Sequence, residues 1–248
     1  MLAKFVGVER WKILFNALKL EFVKPLSANK NITDAVFALC LCSIGPIIAA
    51  FEVRYEANAT LYSTLGFGIS AIFAILFQRS IQRDKGNLTA KQSFSLTHTA
   101  FALGCIPALL VLALDPSLLA KREQLLNASA QGATVQISKI TLLFYISLFA
   151  LWVAVTEEYL FRGLLISIVR RCASFGSPRI RTGVACLISS ILFGAAHWPL
   201  WGAGASLALT GIGLGLSLGY IANGERIWPL IIYHWGFDFL STAVAIFS

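Results

Sequence analysis

Charge is scarce in this chain. Asp, Glu, Lys and Arg make up 13% of its 248 residues, about half the share usual in a soluble domain. Acidic groups are the scarcer kind, 12 against 20 basic ones, for a formal net charge of +8. Apolar residues fill the space, at 57% with mean hydropathy +0.75. That composition excludes a disordered chain, which needs low hydrophobicity. It also excludes a soluble globule of this size, which could not hide so much apolar surface. The basic residues sit in short clusters between long apolar runs, so they form no single patch for nucleic acid. Cysteines are few and odd in number (Cys40, Cys42, Cys105, Cys172, Cys186). They match no zinc-ribbon spacing and no disulfide framework, and read as small packing residues. Met1 to Lys24 lacks the apolar core and cleavage site of a signal peptide. There is no internal repeat, which weakens an inverted-repeat transporter reading. What remains is a polytopic membrane protein.

Seven apolar segments are long enough to span or nearly span a bilayer. They are Thr33–Phe51, Leu61–Phe77, Phe94–Leu114, Ile140–Ile168, Gly183–Trp198, Ala203–Ala222 and Ile227–Phe247. The expected fold is an all-α transmembrane bundle of about seven spans. The fourth segment would cover about 43 Å at 1.5 Å per residue, so it must tilt, bend or run past the bilayer core. Ahead of the bundle, Trp11, Phe15, Leu18 and Phe22 recur at helical spacing while Glu9, Lys12, Asn16 and Lys19 take another face. This predicts a basic amphipathic helix within residues 1–32 that lies on an anionic membrane surface. Residues 33–248 form the bundle, with the chemically interesting part at about 140–248.

Basic loops set the orientation. Lys4, Arg10, Lys12, Lys19, Lys24 and Lys30 precede the first span. Arg79, Arg83, Lys85, Lys91, Arg170, Arg171, Arg179, Arg181 and Arg226 fall in alternate loops on the same side. The opposite side has only Arg54, Lys121, Arg122 and Lys139. Positive charge stays inside, so the N-terminus is expected in the cytoplasm and the C-terminus outside, in a plasma or inner membrane.

Ionisable groups within apolar spans are costly and so are functional candidates. Glu157, Glu158 and Arg162 lie in TEEYLFRG; His197 in FGAAHWP; His234 and Asp238 in HWGFD. Arg162 is four residues after Glu158, so the two share a helix face and can pair. Glu157 points elsewhere and is free to face a second helix as a general base. The blander reading is a compensated Glu–Arg cluster that only fixes packing. Gly194, Ala195 and Ala196 before His197 let a neighbouring helix approach closely. His234 and Asp238 are again four apart, a spacing that can orient an imidazole, bind a metal or carry a proton. His98 has no acidic neighbour at helical spacing and is taken as structural.

The ordered set EE-x-x-x-R, F-x-x-x-H and H-x-x-x-N/D resembles the CAAX-processing and bacteriocin-processing (CPBP) intramembrane proteases, the family of Ras-converting endopeptidase. Here the residues are Glu157, Glu158 and Arg162, then Phe193 and His197, then His234 and Asp238. The resemblance implies a glutamate protease acting on a membrane-associated or lipidated protein or peptide. It implies that Glu157 and His197 activate water, that His234 and Asp238 stabilise the oxyanion or orient the carbonyl, and that Glu158, Arg162 and Phe193 support them. Asp238 stands where the family often has Asn; an ionised carboxylate cannot donate to an oxyanion. It must therefore be protonated or act by holding His234.

No cofactor is expected. The alternative is zinc on Glu157, His197 and His234, since two imidazoles and a carboxylate suit that ion. Two other functions compete: a non-catalytic membrane scaffold or bacteriocin-immunity-type protein, and a proton-coupled transporter. The first would tolerate alanine at the polar positions. The second needs carboxylates along a path, whereas these cluster at one depth. The sequons Asn58-Ala-Thr60 and Asn127-Ala-Ser129 fall in expected outer loops and match too easily by chance to carry weight.

Overall fold

A computed structural model describes residues 69, 72, 88–114, 139–173 and 176–247. Within them the regular secondary structure is all helical, with no strand. Six α-helices follow in order: α1 (Ala90–Leu114), α2 (Lys139–Glu157), α3 (Ile166–Cys172), α4 (Pro178–Ala196), α5 (Trp198–Ala222) and α6 (Trp228–Phe247). A π-helical stretch, Glu158–Leu165, joins α2 to α3 without a loop. The expected N-terminal amphipathic helix, the first span and the sequons lie outside the described residues. So does the second span, apart from Ile69 and Ile72, which are helical and exposed.

Local sequence explains the ends. At the start of α1, Thr89 Oγ1 accepts from Gln92 N at 3.2 Å and Gln92 Oε1 accepts from Thr89 N at 2.9 Å, a reciprocal capping box. Ser177 caps α4 by accepting from Ile180 N, with Pro178 in the first turn, where its missing N–H costs nothing. His197 alone separates α4 from α5, and Pro199 follows in the first turn of α5. Gly202 then breaks the helical path with φ 78°, a conformation that glycine adopts without steric cost.

Among the described residues, four helical stretches are long and apolar enough to cross a membrane: Ala90–Val111, Lys139–Cys172, Pro178–Ala196 and Trp201–Ala222. The fourth expected segment is thus a 34-residue run through the π stretch, rather than Ile140–Ile168. The fifth starts earlier than Gly183, at Pro178. The seventh corresponds to α6, a 20-residue helix that is not one of these four.

α5 lies at the centre, packed chiefly on α1 and α4, while α6 packs on α2. The α1–α5 approach is backbone to backbone. A Cβ placed on Gly104 would lie 2.7 Å from Gly211 O and 2.8 Å from Gly215 Cα. Small residues permit such approach in membranes, where packing rather than hydrophobicity drives helix association. Tyr159, Leu164, Phe193, Leu216, Tyr220 and Leu230 form the buried core around the π stretch. The outward faces carry Leu109, Phe144, Leu187, Leu207 and Leu240, all exposed, which suits contact with lipid.

Candidate active site

The site is assembled by three elements. The end of α2 and the π stretch supply Glu157, Glu158 and Arg162. The α4–α5 break supplies His197, and α6 supplies His234 and Asp238. A π-helical stretch inside an α-helix often marks a functional site. Here the two glutamates sit at its start. The carbonyl of Phe161, inside the stretch, accepts a hydrogen bond of 2.8 Å from Ser189 Oγ of α4.

Glu158 is the most tightly held group. Its Oε1 accepts from Arg162 Nη1 at 2.9 Å and pairs with His234 Nδ1 at 2.8 Å; Glu158 and Arg162 are fully buried. Arg162 also donates Nη2 to the carbonyl of Gly213 on α5 at 3.2 Å. Its guanidinium carbon lies 4.4 Å from the centroid of the Phe193 ring, within cation–π range. Phe193 stands among the site's cations and imidazoles. Its ring centroid is 4.8 Å from that of His197, and it meets His234 edge-on at 5.7 Å.

Glu157 is held more loosely. Its Oε1 lies 3.8 Å from His197 Nε2 and its Oε2 lies 3.6 Å from His234 Nε2. Both distances exceed a direct hydrogen bond. Oε2 is buried and has no hydrogen bond among the described residues. Asp238 Oδ2 is 3.5 Å from the same His234 Nε2. Exposure grades across the site: the side chains of Glu157 and His234 are 10% and 8% exposed, those of His197 and Asp238 18% and 29%. The open side is therefore the one bordered by His197 and Asp238.

The ring protons follow from the partners. His197 Nδ1 lies 2.7 Å from the carbonyl of Phe193. A carbonyl only accepts, so Nδ1 carries hydrogen and, in the neutral ring, Nε2 presents a lone pair toward Glu157. Glu158, charged against Arg162, likewise requires a proton on His234 Nδ1. This contact was not foreseen. Asp238 was expected to be protonated or to hold His234; the carboxylate bonded to Nδ1 is Glu158, and Asp238 lies near Nε2, the nitrogen that Glu157 also faces.

The structure thus brings Glu157, Glu158, Arg162, Phe193, His197, His234 and Asp238 together. His98 stands apart, its ring 5.6 Å from that of Tyr233. Sequence reasoning missed Ser189 and the carbonyl of Gly213. Ser189-Ser190 was a readable signal, a polar pair inside an apolar run; a backbone acceptor leaves none. Of the small residues before His197, only Gly194 makes a close approach: a Cβ there would lie 2.5 Å from Ser206 O of α5. Ala195 and Ala196 are exposed. His197, His234 and Glu157 have the donor chemistry zinc takes. Among the described residues, however, no group of three or more His, Cys, Asp or Glu side chains is gathered closely enough to hold a metal ion.

Residues 139–240 match the family model described as type II CAAX prenyl endopeptidase Rce1-like. This part of the chain is similar to the CPBP/Rce1-like family of membrane proteases. No curated protein and no solved structure matches the chain. With four helices able to cross a bilayer and a protease family's domain, it is an integral membrane hydrolase whose substrate is protein.

Proposed function

We propose, from that similarity, that the chain is an intramembrane endopeptidase. It hydrolyses a peptide bond of a membrane-associated or lipidated protein, with its N-terminus in the cytoplasm and its C-terminus outside. The observation that carries this reading is the placement of Glu157 between the Nε2 atoms of two imidazoles from separate helices, at 3.8 and 3.6 Å. Polar groups at such separations are commonly bridged by water.

The chemistry follows from donors and acceptors. A water between Glu157 and His197 meets two acceptors, the carboxylate and the Nε2 lone pair. Both its hydrogens are then engaged, and an oxygen lone pair is left to attack. Glu157 takes a proton as the water oxygen bonds to the scissile carbonyl carbon. The oxygen of that carbonyl becomes an anion, which His234 Nε2–H stabilises when that nitrogen is protonated. Asp238, beside the same nitrogen, favours that proton or, if itself protonated, donates to the oxyanion. Collapse breaks the C–N bond, and the leaving amine takes its proton from the Glu157 carboxyl. Glu158, Arg162 and Phe193 hold His234 in the required orientation.

The test is mass spectrometry of membrane peptides in cells carrying the active chain or Glu157→Gln, followed by cleavage in purified vesicles. Products absent from the variant are expected. Cleavage by Glu157→Gln or His197→Ala at the rate of the natural chain would remove the mechanism. Tolerance of alanine at all four positions in a phenotype assay would favour a non-catalytic scaffold. Loss of activity to a strong chelator, restored by zinc, would put a metal into the reaction.

A further inference from the structure

A second buried polar cluster lies outside the site, at the α5–α6 turn. Arg170 of α3 donates Nη1 to Glu225 Oε1 at 2.6 Å, and the two residues are 3% and 9% exposed. Glu225 has φ 64°, next to Gly224 at 78°. Among residues other than glycine described here, Glu225 alone has positive φ. Asn223 completes the turn. Its Oδ1 accepts from Arg226 N at 2.8 Å, and its Nδ2 donates to Arg226 O and to Thr97 Oγ1 of α1, both at 2.9 Å.

Stability alone is a poor reason for this arrangement. Desolvating a buried ion pair largely cancels its attraction. A left-handed glutamate adds strain that glycine or asparagine would avoid. What the pair supplies is placement. Glu158 pairs with His234 of α6 at 2.8 Å, and Arg170 of α3 pairs with Glu225, three residues ahead of α6, at 2.6 Å; α6 is also held on α2, where Trp235 Nε1 donates to the carbonyl of Ser147 at 3.0 Å. Between the Glu158 and Arg170 ties lie the π stretch and the start of α3 on one side and the first turns of α6 on the other. The ties to Glu158 and to Ser147 hold α6 at His234 and Trp235, about which its leading end can still tilt; the Arg170–Glu225 tie ahead of its first turn fixes that end.

We propose that the Arg170–Glu225 pair is a positioning clasp, which sets α6 so that His234 presents Nδ1 to Glu158 and Nε2 to Glu157. Its effect on turnover rests on the peptidase reading; its effect on the His234 ring does not. The test uses the full chain in lipid nanodiscs, labelled with ¹⁵N-histidine. The Nδ1–H signal of His234 is assigned by its loss in His234→Gln. Arg170→Met combined with Glu225→Asn removes both charges together, and asparagine tolerates positive φ. This double variant is expected to melt near the natural chain, to shift or lose the His234 signal, and to cut kcat on a farnesylated CAAX-box fluorogenic peptide at least about tenfold with little change in KM. Arg170→Lys, which keeps the charge, should retain the signal and most of the turnover. An unchanged His234 signal in the double variant, a kcat that falls only in step with melting temperature, or a double variant that does not fold overturns the clasp. Cleavage by Glu157→Gln would instead sink the peptidase reading, while the His234 signal still decides the clasp.

Discussion

The two sides of His234 are built on opposite plans. Behind the ring, Nδ1, Glu158, Arg162 and the Gly213 carbonyl form a closed chain with separations of 2.8, 2.9 and 3.2 Å. In front of it, Nε2 faces Glu157 and Asp238 at 3.6 and 3.5 Å, and exposure rises toward Asp238. The back side is held by direct hydrogen bonds, although Glu158 Oε2 and Arg162 Nε have no such partner among the described residues. The front side keeps carboxylates and ring nitrogens close enough to cooperate but too far apart to satisfy one another. Fixed dipoles behind and unspent acceptors in front are what a preorganised hydrolytic site requires.

The contrast can be broken from either side. The largest effect on turnover is expected from the front, with Glu157→Gln. The amide keeps the shape but cannot take a proton, and removing a general base costs about 10²–10⁴-fold in rate. Cleavage of the farnesylated peptide should fall by that factor with the melting temperature little changed. Next comes the back: Arg162→Met strands Glu158 in a fully buried setting. Removing one partner of a buried pair costs about 3–5 kcal/mol, so thermal unfolding in detergent should show a large loss of stability, with activity lost as well. A third variant leaves the site alone. Gly104→Val would drive a side chain into the backbone of Gly211 and Gly215, and such overpacking costs about 1–3 kcal/mol. Melting should fall while KM of the surviving enzyme holds. The smallest effect is expected from Asp238→Asn, because an amide at that place can itself donate to an oxyanion. A total loss of turnover in Asp238→Asn would show that the carboxylate handles a proton, and would sharpen the front side to three acid–base groups.

Much of this site was legible. Glu158 and Arg162 were paired from their spacing, and Glu157 was assigned a separate direction because neighbouring helix positions diverge. Rarity did the rest: in spans so poor in charge, each ionisable group stands out. The excess length of the fourth segment called for a tilt, a bend or a run past the bilayer core, and the described helical run continues through the π stretch to Cys172. The tie from Glu158 to His234 was not legible, since periodicity says which face of a helix a residue occupies and nothing about which helix lies opposite. The Arg170–Glu225 pair escaped for another reason. Both residues looked like ordinary loop charges, and only burial reveals them as interior. The α1–α5 contact was missed because Gly104, Gly211 and Gly215 offer no side chain to notice.

The π stretch also makes this part of the chain intolerant of changes in length. A π turn holds more residues than an α turn, so everything past Leu165 is rotated from where an unbroken α-helix would aim it. Glu158 at the start of the stretch answers to α6, and Arg170 beyond it answers to the α5–α6 turn. Removing a single residue between Tyr159 and Leu165 would relax the ladder to regular α geometry, yet it would swing Arg170 off its carboxylate while leaving the glutamates where they are. Insertions and deletions, harmless in an exposed connection, are here equivalent to turning one half of a key against the other.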